Sequence, residues 1–358
     1  MVVAFSLMAH TETDERVAFQ EAEALKKAGC DVYIFSAYSI ETSRDGKLKW
    51  MEDKLASVLP DVVICDTPLS VKVAKSVRSA LQKEGKCVKV VYDITEWYPS
   101  KKNLRNVSVF SAFFKFWALA ALSLYAGVWC DAFIFGEYYK SSPFRFLFPW
   151  KKFMYLTYYA SIGKVRRFPM KDSLQKECVL YYSGNMTAEK GFFRVLDAVE
   201  TVARKKTETQ FVFRVVSSSV FKFRNLPQNV KVEIISWQPF EVFCETVGQA
   251  DLFFDLRDDD MENTRCLPIK LFYYMSAGRP VIYTALKAIP KGVPEIDSAG
   301  FLVPKGDAAL AADVVLRYID DEELYRRHCG RGAELCASKY NWETQEVDFV
   351  NFIKGGIG

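Results

Sequence analysis

The 358-residue sequence predicts an α/β protein made of two doubly wound, Rossmann-like domains, each with a parallel sheet. Three observations carry that expectation. Short apolar runs of strand length alternate with amphipathic helical patterns. At least two of those runs end in a polar or glycine turn that opens directly into a helix. The length is that of two domains rather than one.

The chain opens with an apolar strand from Val2 to Leu7, a polar loop through His10 and Asp14, and an amphipathic helix to Ala28. Gly29 stops that helix, and a second strand runs from Val32 to Phe35. This is a Rossmann-like opening without a GxGxxG. Further on, VVYDITEWYP ends an apolar strand with Asp93 and Glu96, followed by Trp97, Tyr98 and Pro99. A doubly wound sheet opens its ligand crevice at such strand ends. Asp93 and Glu96 are therefore candidates to orient a substrate hydroxyl; as turn or helix caps they would be structural only. His10 stands in the first loop, where a lone histidine is usually incidental.

Charge is uneven. Residues 1–170 hold 24 Lys and Arg against 17 Asp and Glu, whereas the remainder holds 24 against 27. Within 97–170 the balance is 11 to 2, and the same stretch carries 22 of the 53 aromatic side chains. Aromatic rings settle at the headgroup level of a bilayer and cations pair with lipid phosphates. Trp117, Arg145, Trp150, Lys151 and Lys152 are accordingly the candidates for contact with an anionic membrane surface. A membrane span is the competing reading, but the apolar stretch from Phe116 to Cys130 has only 15 residues where about 20 are needed. The plain alternative is that the aromatics fill the first domain's core. No DNA- or RNA-reading motif accompanies the basic residues, so no nucleic-acid partner is expected.

SIGKVRRFPMKDS, a basic stretch containing Pro169, marks a linker and places domains at 1–168 and 169–335. The final residues, 336–358, with Trp342, Val347 and Phe349, form a helix that returns to the first domain. Nine cysteines show neither CxxC pairs nor zinc spacing, and their apolar surroundings imply reduced thiols in a cytoplasmic protein. Val2 to Ala9 has no basic flank or cleavage pattern and reads as a strand rather than a signal peptide.

Two segments of the second half carry chemistry. VLYYSGNMTAEKGFFRVLDAVETV gives a strand, the turn Ser183-Gly184-Asn185, then Lys190-Gly191 and an amphipathic helix with Phe193, Leu196, Val199 and Val202 on one face. Lys190 is placed beside free backbone N–H groups to neutralise an anion. LPIKLFYYMSAGRPVIYT gives a helix opened by Pro268, a Gly278-Arg279-Pro280 break and a buried strand, with a second strand following the turn in VPEIDSAGFLVP. The positive end of such a helix attracts a phosphate. Lys270 and Leu271 lie in its first turn.

With the tail SKYNWETQEVDF, these segments resemble the retaining, nucleotide-sugar-dependent glycosyltransferases of the GT-B fold, and within them family four. The match runs from 178 to 345 and is looser before that. The resemblance implies two Rossmann-like domains facing across a cleft. It also implies a nucleotide-diphosphate sugar as donor with no other cofactor, and a donor site at Ser183, Gly184, Asn185, Lys190, Gly191, Lys270 and Leu271. The sequence departs from the family where two glutamates eight apart are usual; Arg265 and Tyr273 stand there, and Asn185 replaces a usual arginine. Arg265 would supply the charge lost at 185 or contact an acidic sugar, and Tyr273 would offer a hydroxyl to the ribose. Alternatively, the site has decayed and the protein is a non-catalytic scaffold or binding subunit of a polysaccharide assembly complex. Epimerases of the same fold are disfavoured because the clusters of carboxylates and histidines they need are missing.

The expected chemistry is the transfer of a sugar, with retention, to a lipid-linked or glycan acceptor in surface polysaccharide assembly, at the inner face of the cell membrane. A diphosphate leaves from an oxocarbenium-like transition state, and positive charge must meet it. Lys190, Asp93 and Glu96 are the expected catalytic set. Asp258-Asp259-Asp260 reads as a solvated loop, not a metal clamp.

Overall fold

The computed structural model describes residues 1–96, 98–104, 107–219 and 221–356. Trp97, counted above with the strand-end aromatics, lies outside them. The chain divides into two compact units, Met1–Tyr158 with Gln345–Gly358, and Tyr159–Thr344.

The first unit runs β1 (Val2–Leu7), a π-helical turn (Val17–Glu21) continuing into α1 (Ala22–Lys27), β2 (Asp31–Ser36), α2 (Arg44–Val58) and β3 (Val62–Cys65). It goes on through α3 (Pro68–Lys83), β4 (Lys89–Ile94), α4 (Lys101–Leu104), α5 (Val109–Trp129), β5 (Ala132–Phe135), α6 (Tyr138–Leu147) and β6 (Lys152–Tyr155). Its parallel sheet has the order β2-β1-β3-β4-β5-β6, so the winding reverses between β1 and β3. Every residue of β3 and β5 is buried, as expected of strands covered on both faces. α3 begins where it does because Thr67 and Ser70 cap each other's backbone N–H and Pro68 holds the first helical position. Val71, Ala74, Val77 and Leu81 then turn one stripe to the core.

α5 starts at Val109, earlier than the apolar run indicated, because Ser108 accepts the Ser111 N–H at 3.2 Å and caps it. Only Ser123, Ala126 and Gly127 of its 21 residues are buried. At its other end Lys151 corrects an expectation. Its Nζ donates to the carbonyls of Gly127 (2.6 Å), Val128 (2.7 Å) and Cys130, so this ammonium closes the C-terminus of α5 and is not a free membrane contact. Phe144 and Phe148 pack on the core, whereas Phe146 and Trp150 stay outside. Arg145 lies over the Phe153 ring at 4.5 Å and donates to the Tyr155 hydroxyl. Lys152 and Trp117 are exposed.

The second unit runs β7 (Glu177–Ser183), α7 (Phe192–Lys205), β8 (Gln210–Val216), β9 (Val230–Ile235), α8 (Phe240–Thr246), β10 (Leu252–Asp255) and α9 (Ile269–Ser276). It closes with β11 (Val281–Thr284), α10 (Ala288–Gly292), β12 (Gly300–Val303), α11 (Ala308–Asp320) and α12 (Glu322–Ser338). Its parallel order is β12-β11-β10-β7-β8-β9, with the reversal between β7 and β10. The buried face of α7 is led by Phe192, with Val195, Leu196, Val199 and Val202; Phe193, expected there, is one step out of register and 40% exposed. α9 stops at Gly278, whose φ of +69° favours glycine.

The boundary falls ten residues before the expected 168. The basic run 166–169 is not a free linker. Arg166 N–H donates to Cys244 O at 3.0 Å, Arg167 Nε to Ser276 O at 2.9 Å, and the buried Arg279 binds the carbonyls of Phe168 and Pro169. The last segment, α13 (Glu343–Asn351) and the turn after it, joins the first unit from Gln345 rather than from 336. Gln345 exchanges two hydrogen bonds with the Thr157 backbone, and Lys354 donates to Ala28 O at 2.9 Å.

Replacing Lys151 by Met leaves the last carbonyls of α5 without their donor. Urea denaturation of Lys151→Met is expected to show a loss of about 1–3 kcal/mol, and unchanged stability would mean solvent serves those carbonyls equally well.

Candidate functional site

The winding reversal of the second unit puts the end of β7 beside the end of β10, and the backbone there is unusually tight. Gly191 precedes α7 at φ +74°, and a Cβ on it would lie 2.0 Å from the Leu256 carbonyl oxygen. Only glycine allows that approach. The turn from 184 to 191 is held by the Tyr182 hydroxyl, which donates to Asn185 O at 2.7 Å, and by Asp258 N–H donating to Glu189 O at 3.0 Å. Ser183, Gly184, Asn185, Lys190 and Gly191 therefore sit together at the strand end.

Lys270 joins them from α9. Its Nζ donates to Ser183 O, and a Cβ at Gly184 would be 3.8 Å from that nitrogen. Burial lowers the Lys270 pKa to about 8, Asp255 opposing and Arg257 and Lys190 adding to the fall. Lys190 remains 40% exposed, with Glu189 at 3.7 Å. Holding two ammonium groups near each other costs free energy that an incoming anion would recover.

Sequence reasoning missed Asp255 and Arg257. Arg257 Nε donates to Asp255 Oδ1 at 2.7 Å and Nη2 to Oδ2, a two-pronged pair at the end of β10, while Thr284 Oγ1 donates to Arg257 O at 2.7 Å. The available signal was their position directly after the apolar run of β10, which matters only once β10 is known to neighbour β7.

Three other expected donor residues are placed differently. Leu271 is fully buried and its N–H is taken by Pro268 O at 3.1 Å. Tyr273 is buried with its ring edge-on to Phe240 and Phe243, at 5.6 and 5.7 Å. Arg265 is exposed on the 3₁₀ turn Asn263–Arg265. In the acidic run, Asp258 accepts from Arg194 at 2.5 Å and Asp260 from the N–H groups of Glu262 and Asn263. Among the described residues no group of three His, Cys, Asp or Glu is gathered as a metal site.

In the first unit, Asp93 is not presented as a hydroxyl-orienting carboxylate. It is buried on β4 as a partner of Arg16, which also meets Glu21 at 2.7 Å and lies 4.6 Å from the Tyr158 ring centre. Burial raises the Glu21 pKa, Arg16 pulling it down and Asp93 pushing it further up. The winding reversal instead places His10 and Asp66 together. Buried Asp66 accepts from the N–H groups of Met8 (2.9 Å) and Ala9 (2.8 Å), and its Oδ2 is 3.0 Å from His10 Nδ1. Burial lowers the His10 pKa, but Asp66 and Asp14 more than offset it, so the net shift is upward. Half-buried Glu96 lies past β4, close enough, with Asp66, to add to the burial that raises the Tyr98 phenol.

Residues 177–321 match the glycosyl transferases group 1 family. That span begins at β7 and includes Lys190, Arg257 and Lys270. No curated protein matches the chain in sequence. In fold, the chain is similar to HepE of Anabaena solved with UDP-glucose (TM-score 0.68, 11% identity, 98% of each chain). It is also similar to WaaG, a glycosyltransferase involved in lipopolysaccharide biosynthesis (0.67, 13%, 99% of this chain and 100% of that one). A third likeness is to sucrose-phosphate synthase from Thermosynechococcus elongatus (0.65, 13%, 97% and 96%). Its two doubly wound units are those of the GT-B fold.

Lys270 makes the site pH-sensitive in a defined direction. Its ammonium, the form able to attract an anion, is present below about pH 8 and lost above it. Calorimetric titration with a nucleoside diphosphate is expected to show affinity falling above pH 8, by up to about tenfold per pH unit, and Lys270→Met is expected to flatten that fall. A wild-type affinity that stays level from pH 7 to 10 would remove Lys270 from the site.

Proposed function

We propose that the protein is a metal-independent glycosyltransferase that moves a sugar from a nucleotide-diphosphate donor, with retention, to a lipid-linked or glycan acceptor. We place it at the inner face of the cell membrane, in surface polysaccharide assembly. One observation carries the reading: Lys190 and Lys270 converge on the glycine turn at the winding reversal of the second unit, within the group 1 span.

In this reading the donor diphosphate lies against the turn 183–191 and the N-terminus of α9. As the glycosidic bond to phosphate lengthens, negative charge grows on the leaving diphosphate and Lys190 and Lys270 balance it. The sugar carbon becomes oxocarbenium-like. The leaving phosphate takes the acceptor proton on the same face, so no dedicated base is needed. Arg257, fixed by Asp255, adds a third positive group that compensates for Asn185. Glu96 and the His10–Asp66 pair are the acceptor-side candidates. The UDP-glucose in the HepE structure makes uridine nucleotides the first donors to test, and the role of WaaG in lipopolysaccharide biosynthesis supports a surface glycan.

The test is the thermal shift given by a panel of nucleotides and nucleotide sugars, because a ligand that binds only the folded state raises the melting temperature. One diphosphate class is expected to stabilise the protein, with the shift lost in Lys190→Ala and transfer slowed by about 10²-fold or more. No shift with any nucleotide would favour the scaffold reading, to which the altered positions 265 and 273 belong.

A further inference from the structure

The N-terminal half of α5 is exposed in a way that neither a core helix nor a groove-bound helix is. Val109 is 90% exposed, Phe110 74%, Phe113 59%, Phe114 58% and Trp117 59%. Residues 109–111 and 113–118 are all exposed. Successive residues of a helix point about 100° apart, so these leave no face of the helix covered. A protein groove covers one stripe of a helix; a lipid phase surrounds it. The rings contact one another, Phe110 with Phe114 at 4.9 Å and Phe113 with Trp117 at 6.4 Å between centres.

We infer that this half-helix inserts into one leaflet of an anionic membrane, which deepens the reading above by making the acceptor a lipid of that leaflet. The whole helix is long and apolar enough to cross a bilayer, but length is not the deciding constraint. Ser123, Ala126 and Gly127 are packed in the fold, the end of α5 is held by Lys151, and β5 follows at Ala132. The free part, 109–118, is about 15 Å long, half of the roughly 30 Å hydrocarbon thickness. Charge fits an anionic surface. From 97 to 130 there is no Asp or Glu, and Lys115, the one charged residue of α5, has the stem to carry its ammonium back to the headgroups.

Topology supplies the link to the acceptor. The chain passes from the C-terminal end of β4 through α4 to α5, and α5 returns to the start of β5, so its first residues lie on the side of the sheet that also carries His10, Asp66 and Glu96. That is the ligand edge of a doubly wound sheet. The membrane-embedded residues and the acceptor crevice are therefore at the same end of the first unit.

The experiment is sedimentation with phosphatidylcholine vesicles containing phosphatidylglycerol, at low and at molar salt, alongside quenching of tryptophan emission by lipids brominated in the acyl chain. Binding is expected to persist at molar salt, where the screening length is about 3 Å. Quenching is expected to drop in Trp117→Phe. The triple variant Phe110→Ser, Phe113→Ser, Phe114→Ser is expected to lose vesicle affinity by at least about tenfold while keeping its nucleotide-induced thermal shift. Release by salt, or absence of acyl-chain quenching, overturns insertion. So does failure to bind vesicles together with self-association that the triple variant abolishes, which would assign the helix to a second copy of the chain. A normal nucleotide shift without vesicle binding sinks insertion and leaves the glycosyltransferase reading standing; vesicle binding without any nucleotide shift does the reverse.

Discussion

Because a side chain at 191 would meet the Leu256 carbonyl at 2.0 Å, the start of α7 and the end of β10 touch only as bare backbone. The arrangement of charge at this end of the second unit follows from that contact. It sets Lys190 immediately before the helix, beside the strand end that supplies Asp255 and Arg257. It also leaves the 183–184 turn where Lys270 of α9 donates to the Ser183 carbonyl. A larger residue at 191 would push β10 away from the turn and alter the spacing of Lys190, Arg257 and Lys270.

The cations are held by different means, and the differences bear on their roles. Arg257 is largely enclosed but keeps its charge through a paired carboxylate, so it is a fixed field. Lys270 has lost hydration without gaining a full carboxylate partner, and its protonation answers to whatever anion arrives. Lys190, the most exposed of the three, would be the one to follow a phosphate in the proposed reaction. Of the three, Lys190 and Lys270 stand in segments that the sequence itself marks, whereas Arg257 follows β10 and no linear motif marks it.

Local pattern made the fold legible. β1, β2, the α7 unit and the α9–β11–β12 run were visible because each has its own period, cap or glycine stop, and those signals act over a few residues. Pairings across strands were not. Asp66 and His10 meet because β1 and β3 are neighbours, and Asp93 belongs to Arg16, 77 residues away in sequence. A carboxylate at a strand end looks the same in sequence whether it faces a crevice or a buried guanidinium. The linker failed for a related reason: a basic run with a proline looks solvated, but carbonyls left open at the ends of helices are strong acceptors, and Arg167 finds one at Ser276.

The aromatic and basic stretch separates into parts with different physics, which its composition averaged together. Phe144 and Phe148 fill the core, Lys151 completes a helix, and Arg145 is occupied by Phe153 and Tyr155. Each of these satisfies a local need of the first unit. Among the described residues, the longest stretch left outside is the first half of α5, and Phe146, Trp150 and Lys152 are exposed as well. Once the cations that are already engaged are set aside, the free surface is more apolar than the sequence average of 97–170 implied. An apolar helix exposed around its full circumference gains most from hydrocarbon, and its basic flank directs which surface it meets rather than how firmly it holds. If the half-helix inserts as inferred, electrostatic docking and insertion are successive steps at one end of the first unit, the end that also carries His10, Asp66 and Glu96.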